Sequence, residues 1–478
     1  MGNPGANILV PIAFFSWPLI VIFFFKKFDK RLVPVIAYVA GWMFLPCAEY
    51  DVFLLKNTKT TVIGLGILAG AYLFDRDRLS KFQFNTIDIP VLLLCTSPFF
   101  SSLFNDLGVY DGLSQVMYQT IRWGLPYYIG RIYFSDTEIL KTLGISIVIG
   151  GIIYVPFCLF ELIMSPLLHN MTYGFFQHSL LQTMRENGGY RPMVYMEHGL
   201  MTSMWMILAS LVGTWLLYCG ELPKKILFVP SHLLVFLLVG TSILMQSVGA
   251  ISFYVITLAV LYLSKKMKKI VLVTILLLCP HLYIIARIGT SWNGTNFSNF
   301  IAKTVSSARA ASIQFRFDNE TILMNRAKEG TLFGWGGYGR SRVHTESGKS
   351  RSVTDGLWII VYGANGIYGL SVMILAIQLP TILFIRRIKP EQWQTMEFAA
   401  PAVMAVFLAI TMIDNLLNAM INPIYMIFCG GLNGMLLTNP QLLSSLSLNS
   451  KNELPFALAT PGTRFISGTC IPSSKFLG

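Results

Sequence analysis

The run Leu357–Phe384, LWIIVYGANGIYGLSVMILAIQLPTILF, carries no ionised side chain from end to end. A helical membrane crossing needs ~20 apolar residues, so this run reads as a transmembrane helix and not as a soluble core helix. Beyond it stand Arg386, Arg387 and Lys389; before it lies a long polar segment, Gly289–Gly356. Another apolar run, Ile270–Ile288, precedes that segment. The same pattern repeats outward: Ile8–Phe25, Leu32–Ala48, Thr61–Phe74, Ile87–Phe104, Leu113–Phe134, Ile139–Met164, Leu200–Cys219, Ile226–Leu244, Val248–Leu263, Glu397–Leu416 and Met420–Leu437. About thirteen crossings result, or twelve if the tight pair around Met245–Gly249 forms a re-entrant hairpin. The expected fold is all-α, a polytopic transmembrane helix bundle over residues 1–438. Residues 439–478, a Ser- and Pro-containing tail without periodicity, read as a disordered cytoplasmic end.

Composition agrees. Of 478 residues 54% are hydrophobic and only 12% charged, with a mean hydropathy of +0.60. Soluble chains carry roughly a quarter charged residues. The formal charge of +13 does not indicate nucleic acid, because the basic residues cluster in short loops just beyond apolar runs. The seven cysteines are scattered mostly through apolar runs without C-x-x-C spacing, so they read as small core residues.

Lys and Arg in the short loops set the expected orientation. Lys26/Lys27/Lys30/Arg31, Arg76/Arg78/Lys81, Lys141, Lys224/Lys225, Lys265/Lys266/Lys268/Lys269 and Arg386/Arg387/Lys389 fall on alternate connections. The positive-inside bias makes that side cytoplasmic, with the N-terminus outside and the C-terminus inside. The first run lacks a basic flank ahead of it, so it is expected to be retained and not cleaved as a signal peptide. Two longer loops, 166–199 and 289–356, are then external. In the second, Thr321–Lys328 has helix-forming composition, with Asp318 or Asn319 as N-cap and Gly330 as stop. Arg316 and Glu320 pair if that helix starts further upstream.

The external loops hold the candidate chemistry. Arg191 and Arg316 lie on separate loops, each near a membrane entry. Two converging guanidiniums bind a lipid-linked diphosphate; apart, they are solvated or headgroup arginines. Asp355, against an apolar surface, has the raised proton affinity of a general base, and is equally placed to cap the following helix. The cluster Gly334-Trp335-Gly336-Gly337-Tyr338-Gly339 is either an anion nest around Gly336 or a tight turn delivering Arg340 and Arg342 to the membrane surface. It lacks the Lys-Ser/Thr of a nucleotide loop. Arg122, mid-span, needs a ligand phosphate or a carboxylate such as Asp106, Asp111 or Asp414 as partner. Asp75-Arg76-Asp77 sits in a short loop with no nucleotide-binding domain and reads as structural. His198 and His344 have no second ligand at metal spacing.

Three of these places resemble the O-antigen ligase and O-antigen polymerase family of membrane glycosyltransferases. Tyr190-Arg191-Pro192-Met193-Val194-Tyr195-Met196-Glu197-His198-Gly199 is similar to the family's arginine segment. Arg316 followed by Phe333-Gly334-Trp335-Gly336 is similar to its second arginine and glycine turn. Asp355-Gly356, then Gly366 and Gly369, matches the ligases' His-Asn…Gly-x-x-Gly spacing, with Asp355 where a ligase has His. That departure points toward a polymerase or another branch. The resemblance implies a GT-C-type fold and an inverting, metal-independent transfer at the outer face of the bacterial inner membrane. An undecaprenyl-diphosphate-linked glycan would be the donor and a glycan or lipid the acceptor, with Arg191 and Arg316 on the diphosphate and Asp355 as base. No cofactor is required, and export-pathway proteins of cell-envelope polysaccharide are the implied partners. The competing class is a transporter, such as a flippase of lipid-linked sugars, which would spread charge along a central route and show repeat symmetry. A membrane sensor is weaker still, for no signalling domain follows.

Overall fold

Each apolar run folds into helix, because in lipid every backbone N–H and C=O must find a partner within its own segment. The computed structural model describes residues 5–438 except 53–54, 186–187, 227, 291, 338 and 348–350; the predicted tail, with Cys470, lies outside the described residues. In chain order the helices are α1 (Leu9–Lys27), α2 (Val33–Phe44), α3 (Lys59–Phe74), α4 (Arg76–Ser80), α5 (Ile89–Phe104) and α6 (Gly108–Gln119). Then come α7 (Leu125–Tyr133), α8 (Thr137–Met164), α9 (Leu168–Tyr173), α10 (Gly199–Tyr218), α11 (Ser231–Leu244) and α12 (Val248–Met267). The last six are α13 (Val271–Gly289), α14 (Thr295–Thr304), α15 (Ser307–Glu329), α16 (Leu357–Arg387), α17 (Ala399–Leu417) and α18 (Pro423–Thr438).

Among the described residues eight helical segments are long and apolar enough to cross a membrane, and α2, α3, α11 and α18 are shorter apolar helices. The chain is a multi-pass membrane protein. The predicted span Leu113–Phe134 is composite: α6 runs through a π-helical turn, Thr120–Gly124, into α7. Two small antiparallel hairpins were not foreseen. Tyr50–Val52 pairs with Leu55–Asn57, and Lys225–Ile226 pairs with Val229–Pro230, so the span expected from Ile226 begins only at Ser231. Pro230, with no N–H to give a helix interior, sets that boundary.

The centre is α10 and α17, buried on nearly all sides. Ala399, Ala400, Ala402, Ala405 and Ala409 on α17 are fully buried, and such small residues let neighbouring helices approach closely. Cys95, Cys158 and Cys429 are core residues as expected, whereas Cys279 is exposed on α13.

Contacts sort the connections onto two opposite faces. On one, Arg31 pairs with Asp136, Tyr133 donates to Asp75, Arg131 pairs with Asp88, and Lys141 with Glu221. Every short basic cluster belongs there, and Asp75 is committed to Tyr133 and Arg78 as a structural group. On the other face the Asn7 amide bonds to Tyr173, the His169 ring accepts from the Cys47 amide, and Leu357 bonds to Asn418. Both long loops gather there.

α16 is broken. Gly366 adopts φ 65° and ψ −167°, which no L side chain takes readily. The carbonyls of Gly363 and Ala364 accept the Trp335 and Gly336 amides at 2.9 Å each, and the amides of Ile367 and Tyr368 donate to Thr331 and Leu332. The glycine turn after α15 therefore fits into the gap as a clip. Residues 367–387 span ~31 Å at ~1.5 Å per residue, the thickness of a hydrocarbon core, so the break falls at the membrane boundary.

Candidate active site

The site is built on α15, which is longer than expected. Ser306 caps its N-terminus by accepting from the Arg309 amide, some four turns ahead of the predicted start at ~3.6 residues per turn. No Gly or Pro interrupts Ser307–Glu329, and Ala310, Phe317, Met324 and Ala327 form one buried stripe. Gly330 ends the helix as expected. The large loop is thus one long helix with a shorter one, α14, before it.

Glu320 fixes the rotation of α15. Its carboxylate accepts from Tyr283 Oη at 2.6 Å, Arg287 Nε at 3.1 Å and Trp358 Nε1 at 3.0 Å. Arg287, itself buried, also donates to the carbonyls of Trp292 and Phe317 and to Thr321. The expected Arg316–Glu320 pair does not form, because Glu320 points inward to α13 and α16. Burial pushes the Glu320 carboxyl up, with the Tyr283, Trp358 and Arg287 donors pulling it back.

With Glu320 inward, Arg316 faces the second loop and pairs with Asp355 at 3.7 Å. The two side chains are 25% and 33% exposed, so both still reach solvent or a substrate. Asp355 does not cap α16. The N-cap is Gly356, with no side-chain bond, and the Leu357 amide is satisfied by the Asn418 carbonyl. Partial burial raises the Asp355 carboxyl above its ordinary range, and the Arg316 guanidinium partly offsets this.

Arg191 arrives from the other loop. Glu161, at the end of α8, accepts from the amides of Met193 and Val194 at 2.8 and 2.7 Å, and Thr202 donates to the Met193 carbonyl. The Arg191 amide bonds to Thr183, closing the strap. Its side chain then crosses Gly199 so closely that a Cβ there would lie 2.6 Å from Arg191 Cγ and Cδ. Arg191 is only 8% exposed and its Nε has no hydrogen-bond partner. Among the described residues no carboxylate pairs with it. Burial first, then Arg185, Arg309 and Arg316, push it down to about 9. His198 is pushed down to about 3 by burial, His178 and three of the same arginines. Its Nδ1 accepts from the Leu200 amide, so it is a neutral imidazole at the edge of a cationic cluster.

Arg191, Arg316 and Asp355 therefore share one neighbourhood. Arg185 and Arg309 belong to it and were not singled out by sequence reasoning. Arg309 lies seven residues before Arg316, two turns along one helical face, a spacing that becomes visible only once the helix is known to start at Ser307. The other candidates lie elsewhere. Arg340 is paired with Asp111 through two bonds of 3.2 and 3.0 Å. The Trp335 and Gly336 amides are consumed by Gly363 and Ala364, so these residues serve a turn and a clip and are not donors of an anion nest. Arg342 is half-buried in that turn, its amide bonded to Gly339. Asp111 is taken by Arg340, and among the described residues no carboxylate lies within ion-pair distance of Arg122, against the structural partner considered for it. Arg122 instead lines a cavity of about 450 Å³ that also holds His198 and Glu197. Arg191, Arg316 and Asp355 do not line that cavity; His198 is the side chain that adjoins both. No protein-family model matches this chain, and a search among curated proteins finds no match.

Proposed function

We propose that the protein is an inverting membrane glycosyltransferase that polymerises or ligates undecaprenyl-diphosphate-linked glycans at the external face of the bacterial inner membrane. The observation that carries this reading is the meeting of guanidiniums from both long loops: Arg191, 8% exposed and with no Nε partner among the described residues, lies near Arg309 and Arg316, and the carboxylates beside Arg316 are Asp355 and Asp414. A half-buried excess of positive charge is suited to a polyanion, and Arg forks match phosphate oxygens in pairs.

In this mechanism the donor diphosphate lies between Arg191 and Arg316. The acceptor hydroxyl oxygen attacks the anomeric carbon, and its proton passes to the Asp355 carboxylate. The bond from that carbon to the diphosphate oxygen breaks, and its electron pair leaves with the lipid diphosphate. Arg191 and Arg316 stabilise the charge as it develops, a contribution of about 1.5–3 kcal/mol for each charge-assisted bond. The attack from the face opposite the leaving group inverts the sugar. The glycosyl–diphosphate bond supplies the driving force, and the residues supply positioning and charge.

The test uses cells making the surface glycan and membranes prepared from them. Arg191→Ala and Arg316→Ala each abolish glycan assembly while the protein still inserts. Normal polymer length in both variants removes the enzyme reading and returns the transporter. Single-unit glycans in a deletion strain indicate a polymerase, and finished lipid-linked polymer indicates a ligase.

A further inference from the structure

The cavity beside the arginine cluster has its own unspent charge. It lies between α3, the hairpin before it, α6 with its π-turn, the external loop 166–199 and the α17–α18 connection. Three cations line it, Lys56, Lys59 and Arg122, against two carboxylates, Glu49 and Glu197. Lys56 pairs with Glu49 at 2.6 Å. Lys59 is buried under the Trp42 ring at 4.2 Å and donates to the carbonyls of Trp42 and Tyr195. Arg122 differs from both. Among the described residues it makes one hydrogen bond, from Nη1 to Tyr118 Oη at 2.9 Å, and its guanidinium stands 5.7 Å from the Tyr118 ring centroid. Of the five N–H donors an arginine carries, four have no partner among the described residues.

Backbone geometry points the same way. Arg122 sits within the π-helical turn Thr120–Gly124. A π-turn inserts an extra residue into an otherwise regular helix and is found frequently at functional sites. A charge in a membrane segment is placed toward a partner or a cavity that marks a substrate path, and this guanidinium lines a cavity with donors to spare for an anionic ligand.

We infer that this cavity is a sugar subsite selective for a carboxylate-bearing residue of the glycan, with the Arg122 fork as the carboxylate receptor and Tyr118 as the platform beside it. That the ligand is a sugar rests on the glycan-transfer reading; the preference for a planar anion rests on Arg122 alone. The volume suits one or two pyranose rings, at the small end of the ~300–1,000 Å³ range of ligand pockets. The carboxylate lies flat against the guanidinium and takes two parallel N–H···O bonds, a match that lysine cannot reproduce.

The full-length protein, purified in detergent, is titrated with tetragalacturonate and with maltotetraose, an uncharged tetrasaccharide. Wild type binds tetragalacturonate at least about tenfold more tightly, the loss expected for one charge-assisted contact. Arg122→Gln removes the preference and leaves maltotetraose affinity unchanged; Arg122→Lys keeps part of it. Methylenediphosphonate, a probe of the arginine cluster, binds wild type and Arg122→Gln alike and is lost in Arg316→Ala. Equal affinity of wild type for the two tetrasaccharides, no binding of either, or equal weakening of both in Arg122→Gln overturns the inference. If methylenediphosphonate affinity falls in Arg122→Gln, the residue is a phosphate ligand and not a sugar receptor. Selective tetragalacturonate binding in a protein without transfer activity would leave this subsite standing and sink the enzyme.

Discussion

Asp355 carries two opposed influences, burial and Arg316, and their balance has a measurable sign. The base acts as its carboxylate, so transfer falls as pH drops through a group whose affinity for protons is above the ordinary carboxylate range. The acid limb of the pH–rate profile should lie above that range. Arg316→Gln removes the one influence that lowers it, so in any residual activity the limb moves to still higher pH. Asp355→Asn should reduce turnover by about 10²–10⁴ with donor affinity retained; an unchanged rate would leave Asp355 only its ion pair. Gly199 offers a second probe that alters no charge. A methyl there collides with the Arg191 stem, so Gly199→Ala should displace the guanidinium and cost at least tenfold in transfer, as about one lost charge-assisted contact would. Wild-type rates in Gly199→Ala would show that Arg191 needs no fixed path. Asp355 was legible in the sequence as a charged residue at the edge of an apolar run, and Arg191 and Arg316 as arginines on separate external loops. Arg185 was not, since its part depends on how a loop folds back through the Met184–Tyr190 bridge, a contact without local signal.

Helices were legible by type and displaced at their ends. The start of α15 was missed because Asp318 and Asn319 look like caps, and capping is a local preference that a buried stripe overrides. The break in α16 was missed for the opposite reason: Gly363, Gly366 and Gly369 sit in an apolar run, and a membrane helix tolerates glycine well. What marks Gly366 out is the approach of the Leu332 carbonyl, 2.2 Å from where a Cβ would stand. Gly366→Ala should destabilise the folded protein by about 1–3 kcal/mol or more through backbone strain alone, read as a lower midpoint in thermal unfolding in detergent. An unshifted midpoint would mean the break is not held. Trp335 reinforces the clip from the other side, donating to the Arg326 carbonyl at 2.8 Å while the Arg326 guanidinium stacks on its ring at 3.4 Å.

At the scale of the molecule, the alternation of basic and neutral loops foretold which connections share a face, because each reversal of the chain must return it to the opposite side. The same rule says which face meets the cytoplasm. In cells treated with a membrane-impermeant maleimide, Glu346→Cys should react and Lys268→Cys should not; the reverse pattern would turn the protein over and place the arginine cluster inside. Tertiary packing was not legible to this degree. Nothing in periodicity selects α10 and α17 as the buried centre, although the alanines of α17 are compatible with it.

The clip at Gly366 also bears on how the chain is made. Residues 331–336 leave the ribosome before the segment they complete, so they must already have been translocated when the Leu357–Arg387 stretch enters the bilayer. Without them, the amides of Ile367 and Tyr368 stand four residues from the carbonyls of Gly363 and Ala364, the ordinary helical partners, so the stretch would enter as one unbroken helix. The break in this span therefore depends on a segment synthesised some thirty residues earlier, and a shortened loop should leave the span inserted but unbroken.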